Sequence, residues 1–576
     1  MFLRKQLVHG SGVLLFALLL FAIGLVLYGD SGRVSFEHGV ASGDPLDDRI
    51  ILWTRVTPQE SQRKVRVRVE VASDEKFESL VYSSVKSTTA KSDYTVKVDV
   101  EGLSAGTAYY YRFRSGETAS VIGRTKTLPR GDVDSVRLAV FSCANYPTSH
   151  GGYFNVYGHA AETADIDAVV HLGDYIYEYG KAPDSGNDNS QGAGRDFPEY
   201  SDKEILTLDD YRRRYALYRT DPQLQALHAT HPFIAVWDDH EVANDAYVGG
   251  AQNHNEDEGS FDARKEAALR AYYEWMPVRP VKENDSGRVY RSFSFGNLVE
   301  LLMLDTRLAG REKQLSYKDY LDPDTGFNAR SFREDIGSPE RTLLGRDQLV
   351  WLQGELADST AAWQVLGQQV LMGRMNVPAE IIPHLGDRTP QVADLIDELT
   401  GIKERVLRED PSVTKDERDR VNTVLPYNLD AWDGYPAERE AVLGAAYGRD
   451  RNLIVLAGDT HNGWASNLKD AAGNQVGVEF ATASVSSGGL ETYLKLEPEQ
   501  AEEFARDLEV LVDGLVYSNT KDRGYMIVSF TPKRAKSRWI YVDTVKHPEF
   551  RELTSSGKAL GVLPGVGNRE LVPVGN

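Results

Sequence analysis

The chain has 576 residues, 65 Lys and Arg against 86 Asp and Glu, and a formal net charge of -21. That length exceeds a single compact core and implies several domains. The acidic balance argues against binding nucleic acid through a general basic surface, but it is compatible with an anionic substrate held by metal ions. With one cysteine, Cys143, no intramolecular disulfide can form.

In chain order, Arg4 and Lys5 precede the uncharged apolar run GVLLFALLLFAIGLVLYG, residues 12–29. Its length lies between a signal-peptide core and a spanning helix. No small-x-small cleavage site and no twin arginine accompany it. Residues 1–29 are expected to be an export signal, cleaved or retained as a membrane anchor. The basic residues before the run put the body of the chain outside the cytoplasm, whether periplasmic, extracellular or anchored.

Residues 34–128 read as all-β. RIILWTRV, KVRVRVEVAS, YTVKVDVEGL and AYYYRFRS are short runs rich in β-branched and aromatic residues, punctuated by Gly, Asp and Ser. They predict a β-sandwich. LSAGTAYYYRF, 103–113, resembles the corner motif of fibronectin-III and similar immunoglobulin-like domains, and TLPRGDVDS, 127–135, reads as a linker. From 136 the pattern becomes α/β. VRLAVFS, DAVVHLGD, PFIAVWDD, LVELLMLD, WQVLGQQV and NLIVLAGD are continuous apolar runs of the kind buried on both faces of a sheet. Two polar or amphipathic segments, about 308–345 and 376–440, interrupt them. The catalytic domain is expected over 136–545, with 546–576 a tail or lid.

Four of these runs end in groups that bind metals. Cys143 follows the first strand and Asp174 the second; Asp238, Asp239, His240 and Glu241 follow the third, and Asp459 and His461 a late one. Each has a plain reading alone: a packed thiol, a turn carboxylate, a solvated acidic turn, a surface histidine. Carboxyl ends of strands are where α/β folds place ligands, and all four together point to a metal site.

The segments FEHGVASGDPLDDRIILWTRV, FSCANYPTSHGGYFNVY, HLGDYIYEYG, VWDDHEVAND, ARKEAALRAYYEWMPVR, LDTR, YNLDAWDGYPAER and AGDTHNGW together resemble the calcineurin-like metallophosphoesterases, and more closely the PhoD-type alkaline phosphatases and phosphodiesterases, over about 34–545. The resemblance implies an α/β/β/α sandwich behind the N-terminal β domain, holding one iron(III) and calcium. Carried over, Cys143, Asp174, Tyr177 and His461 hold the iron, a set whose thiolate and phenolate suit an oxidised metal. Asp174 bridges to calcium, which Asp459 binds with Asn244. Asp239 stands where the wider superfamily has a metal-binding Asn, and is the alternative to Asn244. Arg264 is the first choice for the phosphate and Arg307 the second, unless Arg307 is simply paired with Asp305. His240 either orients the nucleophile or protonates the leaving alkoxide, unless it is a structural hydrogen bond. Tyr427, Trp432 and Tyr435 either wall the cleft or pin their loop. Asp245 departs from the family, where a second Asn is usual.

The expectation is an exported, monomeric alkaline phosphatase or phosphodiesterase. It would cleave small or polymeric phosphoesters by metal-activated hydroxide attack on phosphorus. Two alternatives are phospholipase D-like hydrolysis of phospholipid head groups and a catalytically degenerate surface-binding protein. A purple-acid-phosphatase-like site would require histidines that DDHE and GDTH do not supply.

Overall fold

The computed structural model describes residues 34–59, 64–147, 151–181, 195–280, 287–322, 326–384 and 390–574. The apolar run expected to be a signal or anchor lies outside them. Among the described residues no helix is long and apolar enough to cross a membrane.

The apolar runs form two large sheets in a mixed α/β architecture. In one, Val136–Phe141, Ala168–His171 and Phe233–Ala235 run parallel, and Arg523–Thr531 joins Val136–Phe141 antiparallel. In the other, Val299–Met303, Trp363–Gly367, Leu453–Ala457 and Gln475–Ala481 run parallel, flanked by antiparallel strands. Strand periodicity divides the faces of this second sheet. Val299, Leu301, Met303, Ile454 and Leu456 enter a core shared with the first sheet. Leu302, Leu453 and Val455 point the other way, into a second core with Leu352 and Leu356 of helix Arg346–Asp358 and Val442 and Leu443 of helix Pro436–Gly448. The outer face of the first sheet is covered by helices including Leu208–Tyr218 and Phe261–Trp275, which bring Tyr211, Tyr215, Ala268 and Tyr272 into the shared core. The strongly apolar runs are strongly apolar because both sheets are covered on both faces.

The N-terminal strands do not stop at a domain border. Val65–Ala72, Leu80–Thr88, Ala108–Ser115 and Gly123–Lys126 form their own sheet. Val40–Gly43, Arg49–Arg55 and Thr95–Glu101 face it across a core that includes Leu52, Val69, Val98 and Phe113. Yet those last three strands also continue the first large sheet, through a parallel bridge between Phe233 and Gly43. A side chain at Gly43 would stand 2.8 Å from the Phe233 carbonyl oxygen and 2.3 Å from that of Pro277, so this junction requires glycine. Around it, the Trp53 indole donates to the Glu274 carbonyl at 2.8 Å, and Arg279 forks onto Asp99 at 2.7 and 2.9 Å. Trp53 packs against Trp275 with ring centroids 5.7 Å apart.

The C-terminal segment expected as a tail or lid from 546 is instead more sheet. Lys558–Val562 pairs with Arg534–Val542, and Val572–Pro573 adds beyond it. Nearly buried Arg569 donates to the Asp450 carbonyl at 2.9 Å. The apolar run Ala559–Val562, buried throughout, pairs at the edge left by Arg534–Val542.

The seam at Trp53 makes a prediction. Trp53→Ala should cost about 3–5 kcal/mol, as large aromatic truncations in cores do. Because the sheet crosses the seam, calorimetry should show one transition shifting as a whole. Two transitions, of which one stays fixed, would show that the N-terminal strands melt independently.

Candidate metal centre

The site forms where strand ends of the two sheets meet. A side chain at Gly458 would stand 2.7 Å from Ser142 Cβ, and one at Gly173 2.4 Å from both Cβ and backbone nitrogen of Asp238. Gly173 also has φ +107, so both its conformation and its surroundings demand glycine. These approaches place the turns after 141, 171, 235 and 457 side by side. The turns are tied by Cys143 N–H to the Gly173 carbonyl at 3.2 Å and Ala144 N–H to the Asp174 carbonyl at 2.9 Å. Glu241, fully buried, clamps two of them with its carboxylate. It accepts from the backbone of Asp174 at 3.0 Å, Tyr175 at 2.6 Å and Asp238 at 2.7 Å.

Within the turns Cys143, Asp174, Asp459 and His461 all adopt left-handed backbone, with φ between 55 and 65. Such conformations cost about 1–3 kcal/mol each in non-glycine residues and cluster at functional sites. Here they aim successive side chains inward. Ligand atoms of Cys143, Asp174 and His461 lie within 4.8 Å of one another; so do those of Asp174, Asp239 and His240, and those of Asp238, Asp239 and Asp459. Asp174 and Asp239 each belong to two groups, so the three make one continuous cluster. The Tyr177 hydroxyl completes the first group. It lies 3.2 Å from both Asp174 Oδ2 and His461 Nε2, and it accepts from Ser487 Oγ at 2.8 Å.

The donors are held in metal-ready states. His461 Nδ1 is 2.6 Å from the Gly488 carbonyl, which fixes the proton there and turns Nε2 toward the cluster. Burial lowers its pKa to about 3, so the imidazole is neutral. Burial pushes the Cys143 thiol, the Tyr177 phenol and the Asp174 carboxyl well upward. In this dry pocket those groups ionise only opposite a cation. Two buried carboxylate oxygens, Asp174 Oδ1 and Asp238 Oδ2, have no hydrogen-bond partner, which is the condition of a ligand atom awaiting an ion.

His240 lies over Tyr177, ring centroids 4.1 Å apart, with Nδ1 2.6 Å from Glu178 Oε2. Glu178 is fully buried and also accepts from Asn244 N–H at 2.7 Å and Asn253 Nδ2 at 2.9 Å. Burial alone would depress the histidine, but Glu178, Asp239 and Asp174 together hold its pKa well above the usual value. With Nδ1 held by Glu178, the His240 ring is fixed and Nε2 remains for another partner.

The structure sets the two arginines in different surroundings. Arg264 is tied into the 253–258 loop, donating to Tyr211 Oη at 3.2 Å, the Asn253 carbonyl at 2.8 Å, Glu258 at 3.3 Å and Glu204 at 2.9 Å. These bonds occupy its guanidinium with structural partners. Arg307 is the one that reaches the cluster. Its fully buried guanidinium donates to Asp238, to both oxygens of Asp430 at 2.9 and 2.8 Å, and to Asp459 at 3.0 Å, with Asp239 3.8 Å away. Asp305 contributes only as acceptor for the Arg307 backbone N–H at 2.9 Å. Asn244 is half-buried beside the cluster, its side-chain amide donating to Gln252 at 3.0 Å. Asp245 donates its N–H to Asp239 Oδ2 at 2.6 Å. Trp432 and Tyr435 pin their loop, through Gln368 at 3.1 Å and the Glu312 carbonyl at 2.7 Å. Tyr427 instead lines an open cleft of about 1030 Å³ that begins at Asp245 and Asp430.

Comparison with known proteins decides the family. The profile of PhoD-like phosphatases matches residues 138–539, and that of the PhoD-like phosphatase N-terminal domain matches 28–129. The chain belongs to the PhoD-like phosphatase family. It is 33% identical over 528 residues to alkaline phosphatase D of Bacillus subtilis (strain 168), covering 89% of this chain and 78% of that protein. It superposes on the solved structure of PhoD with a TM-score of 0.73 at 31% identity, covering 95% of this chain and 93% of that one. As a family member it is a phosphoester hydrolase.

Sequence reasoning missed Glu241 as the clamp, Glu178 as the partner of His240, Asp430 as a partner of Arg307, and Ser487 behind Tyr177. Glu178 carried a signal in the HLGDYIYEYG stretch, being an acidic residue in an otherwise apolar and aromatic run. Asp430 carried none, because its partners Arg307 and Arg311 lie 123 and 119 residues away.

Removing Arg307 should leave four carboxylates without their common cation. Arg307→Ala is expected to cost about 3–5 kcal/mol in metal-free buffer, read by thermal unfolding, with Arg307→Lys recovering part. An unchanged melting temperature for Arg307→Ala would show that these carboxylates are compensated elsewhere.

Proposed function

We propose that the protein is an exported, metal-dependent phosphodiesterase and phosphomonoesterase of the PhoD type. The observation that carries this is the cluster of Cys143, Asp174, Tyr177 and His461 donor atoms, joined through Asp174 to a second group of carboxylates. The first set combines thiolate, phenolate, carboxylate and neutral imidazole, a donor set suited to iron(III). Asp239 and Asp459, with Asp238 and Asn244 beside them, offer the hard oxygens calcium prefers. The unpartnered oxygens of Asp174 and Asp238 fit this occupancy. When bound, the metals would neutralise phosphate oxygens and supply an activated water at neutral to alkaline pH.

The chain's own residues carry the rest. His240, held by Glu178, donates a proton from Nε2 toward the leaving alkoxide, a role worth about 10²–10⁴-fold in rate. Arg307 spreads its charge over Asp238, Asp430 and Asp459. It thereby keeps these carboxylates from repelling an incoming phosphate. The layered fold would then be a metallophosphoesterase-type α/β/β/α sandwich fused to a fibronectin-like β domain, acting as a monomer.

The test is metal content and colour together. Purified protein should contain about one iron and at least one calcium per chain. It should show a visible ligand-to-iron charge-transfer band, abolished in Tyr177→Phe or Cys143→Ser. Chelation should stop hydrolysis of bis-p-nitrophenyl phosphate, and His240→Ala should slow it by about 10²–10⁴-fold. Colourless, metal-free protein that still hydrolyses the diester would overturn the proposal.

A further inference from the structure

Beside the metal centre lies a second, smaller cavity of about 290 Å³ that the chemistry above does not use. It sits behind the turn that carries Asp459 and His461. Trp464, on its wall, donates its indole N–H to Thr460 Oγ1 at 2.8 Å, between those two residues. Tyr493, also on the wall, stacks near His461, centroids 6.2 Å apart and planes within 19°. Tyr427 lines both this cavity and the larger cleft that begins at Asp245 and Asp430. The metal cluster is thus flanked by two cavities that share one tyrosine.

The two differ in chemistry. The smaller is lined by apolar and aromatic side chains such as Met375, Ile396, Phe504 and Leu508, and by no charged residue. The polar groups on its wall are the Trp464 indole N–H, already used by Thr460, and the Tyr427 and Tyr493 hydroxyls. So sparsely polar a cavity favours an apolar occupant, because a strongly polar group would lose more hydration than these few groups replace. The larger cleft carries Lys313, Lys318, Gln252 and Asn428 and suits a polar or charged one.

Building on the phosphoesterase reading, we propose that the 290 Å³ cavity is a subsite for an apolar substituent of the substrate. The preferred substrate is then an asymmetric phosphodiester, with one alkyl group seated there and the other, more polar group in the cleft. Selectivity resides in helices Pro390–Leu407 and Pro498–Leu511, which supply Ile396, Phe504 and Leu508. The metal ligands do not set it.

The test uses the full chain loaded with iron and calcium and a series of alkyl p-nitrophenyl phosphates, from methyl through butyl to octyl. All release the same p-nitrophenolate, so kcat/KM reads the alkyl group alone. It should rise by up to about fourfold per methylene, the factor expected for burying one, until the cavity is full. Ile396→Trp should bring the octyl-to-methyl ratio to near one, and Phe504→Ala should move the plateau to longer chains. Each variant is checked by thermal unfolding. A flat series in the wild-type chain, or a rise that Ile396→Trp leaves intact, would overturn the proposal. Calorimetric binding of octylphosphonate against methylphosphonate, whose C–P bond is not cleaved, reads the cavity without turnover. Equal affinities would overturn this inference. Loss of all hydrolysis with a retained preference for octylphosphonate would instead overturn the phosphoesterase reading alone.

Discussion

Everything at the centre of this molecule depends on keeping a crowd of carboxylates in a dry seam between two sheets. Asp174, Asp238, Asp239 and Glu241 are nearly or fully buried, and Asp430 and Asp459 stand beside them. Carboxylates buried together repel, and burial alone pushes each toward its neutral form. Arg307 is the chain's partial answer. It sets one cation among Asp238, Asp239, Asp430 and Asp459, and these four hold its pKa well above the ordinary value against burial. Fully buried Arg311 adds a second cation at Asp430, and two charges still do not balance four. The unpartnered oxygens of Asp174 and Asp238 mark where compensation from the chain ends. A cation-binding site follows from that imbalance before any mechanism is considered.

Such a seam would open unless the backbone that carries it were fixed from outside. Left-handed backbone at Cys143, Asp174, Asp459 and His461 persists only where the surroundings leave no alternative. The surroundings supply this in layers. Glu241 ties the turns to one another through three backbone N–H groups. Both sheets behind them are covered on both faces. The N-terminal strands extend the first sheet and lock onto its outer helix through Trp53 and Trp275. The β domain is therefore part of what holds the turns in place, which explains why its boundary is not a break in the sheet.

Much of this was legible in the sequence, for an identifiable reason. Continuous apolar runs reveal strands covered on both faces, and acidic or histidine residues placed directly after them reveal ligand-bearing ends. Cys143, Asp174, Asp239, Asp459 and His461 stood out in that way, and Tyr177 only through the family resemblance. What the sequence hid was tertiary. An alternating strand looks the same whether it closes a sandwich or extends a larger sheet, so the Phe233–Gly43 bridge left no local trace. Lys558–Val562 read as a tail because its partner strand, Arg534–Val542, offers an edge only once the sheet is built. Arg264 outranked Arg307 because the helix around Arg264 was the more recognisable motif. That Arg307 instead reaches Asp238, Asp430 and Asp459 depends on contacts spanning 69, 123 and 152 residues.

The two polar segments that interrupt the strands make sense in the same terms. The first packs against the second in a small core around Tyr320, Phe332 and Leu429, and supplies Lys313 and Tyr317 to the cleft. The second supplies Tyr427 to both cavities and Ile396 to the smaller one. None of these residues is among the donors of the metal cluster. The chain thus separates two tasks that compete when placed on one element. Rigid strand ends fix the positions of the metal donors, and segments inserted between the strands shape the walls a substrate meets. Walls on inserted segments can change without moving a donor atom, so the same centre can serve phosphoesters of different shape.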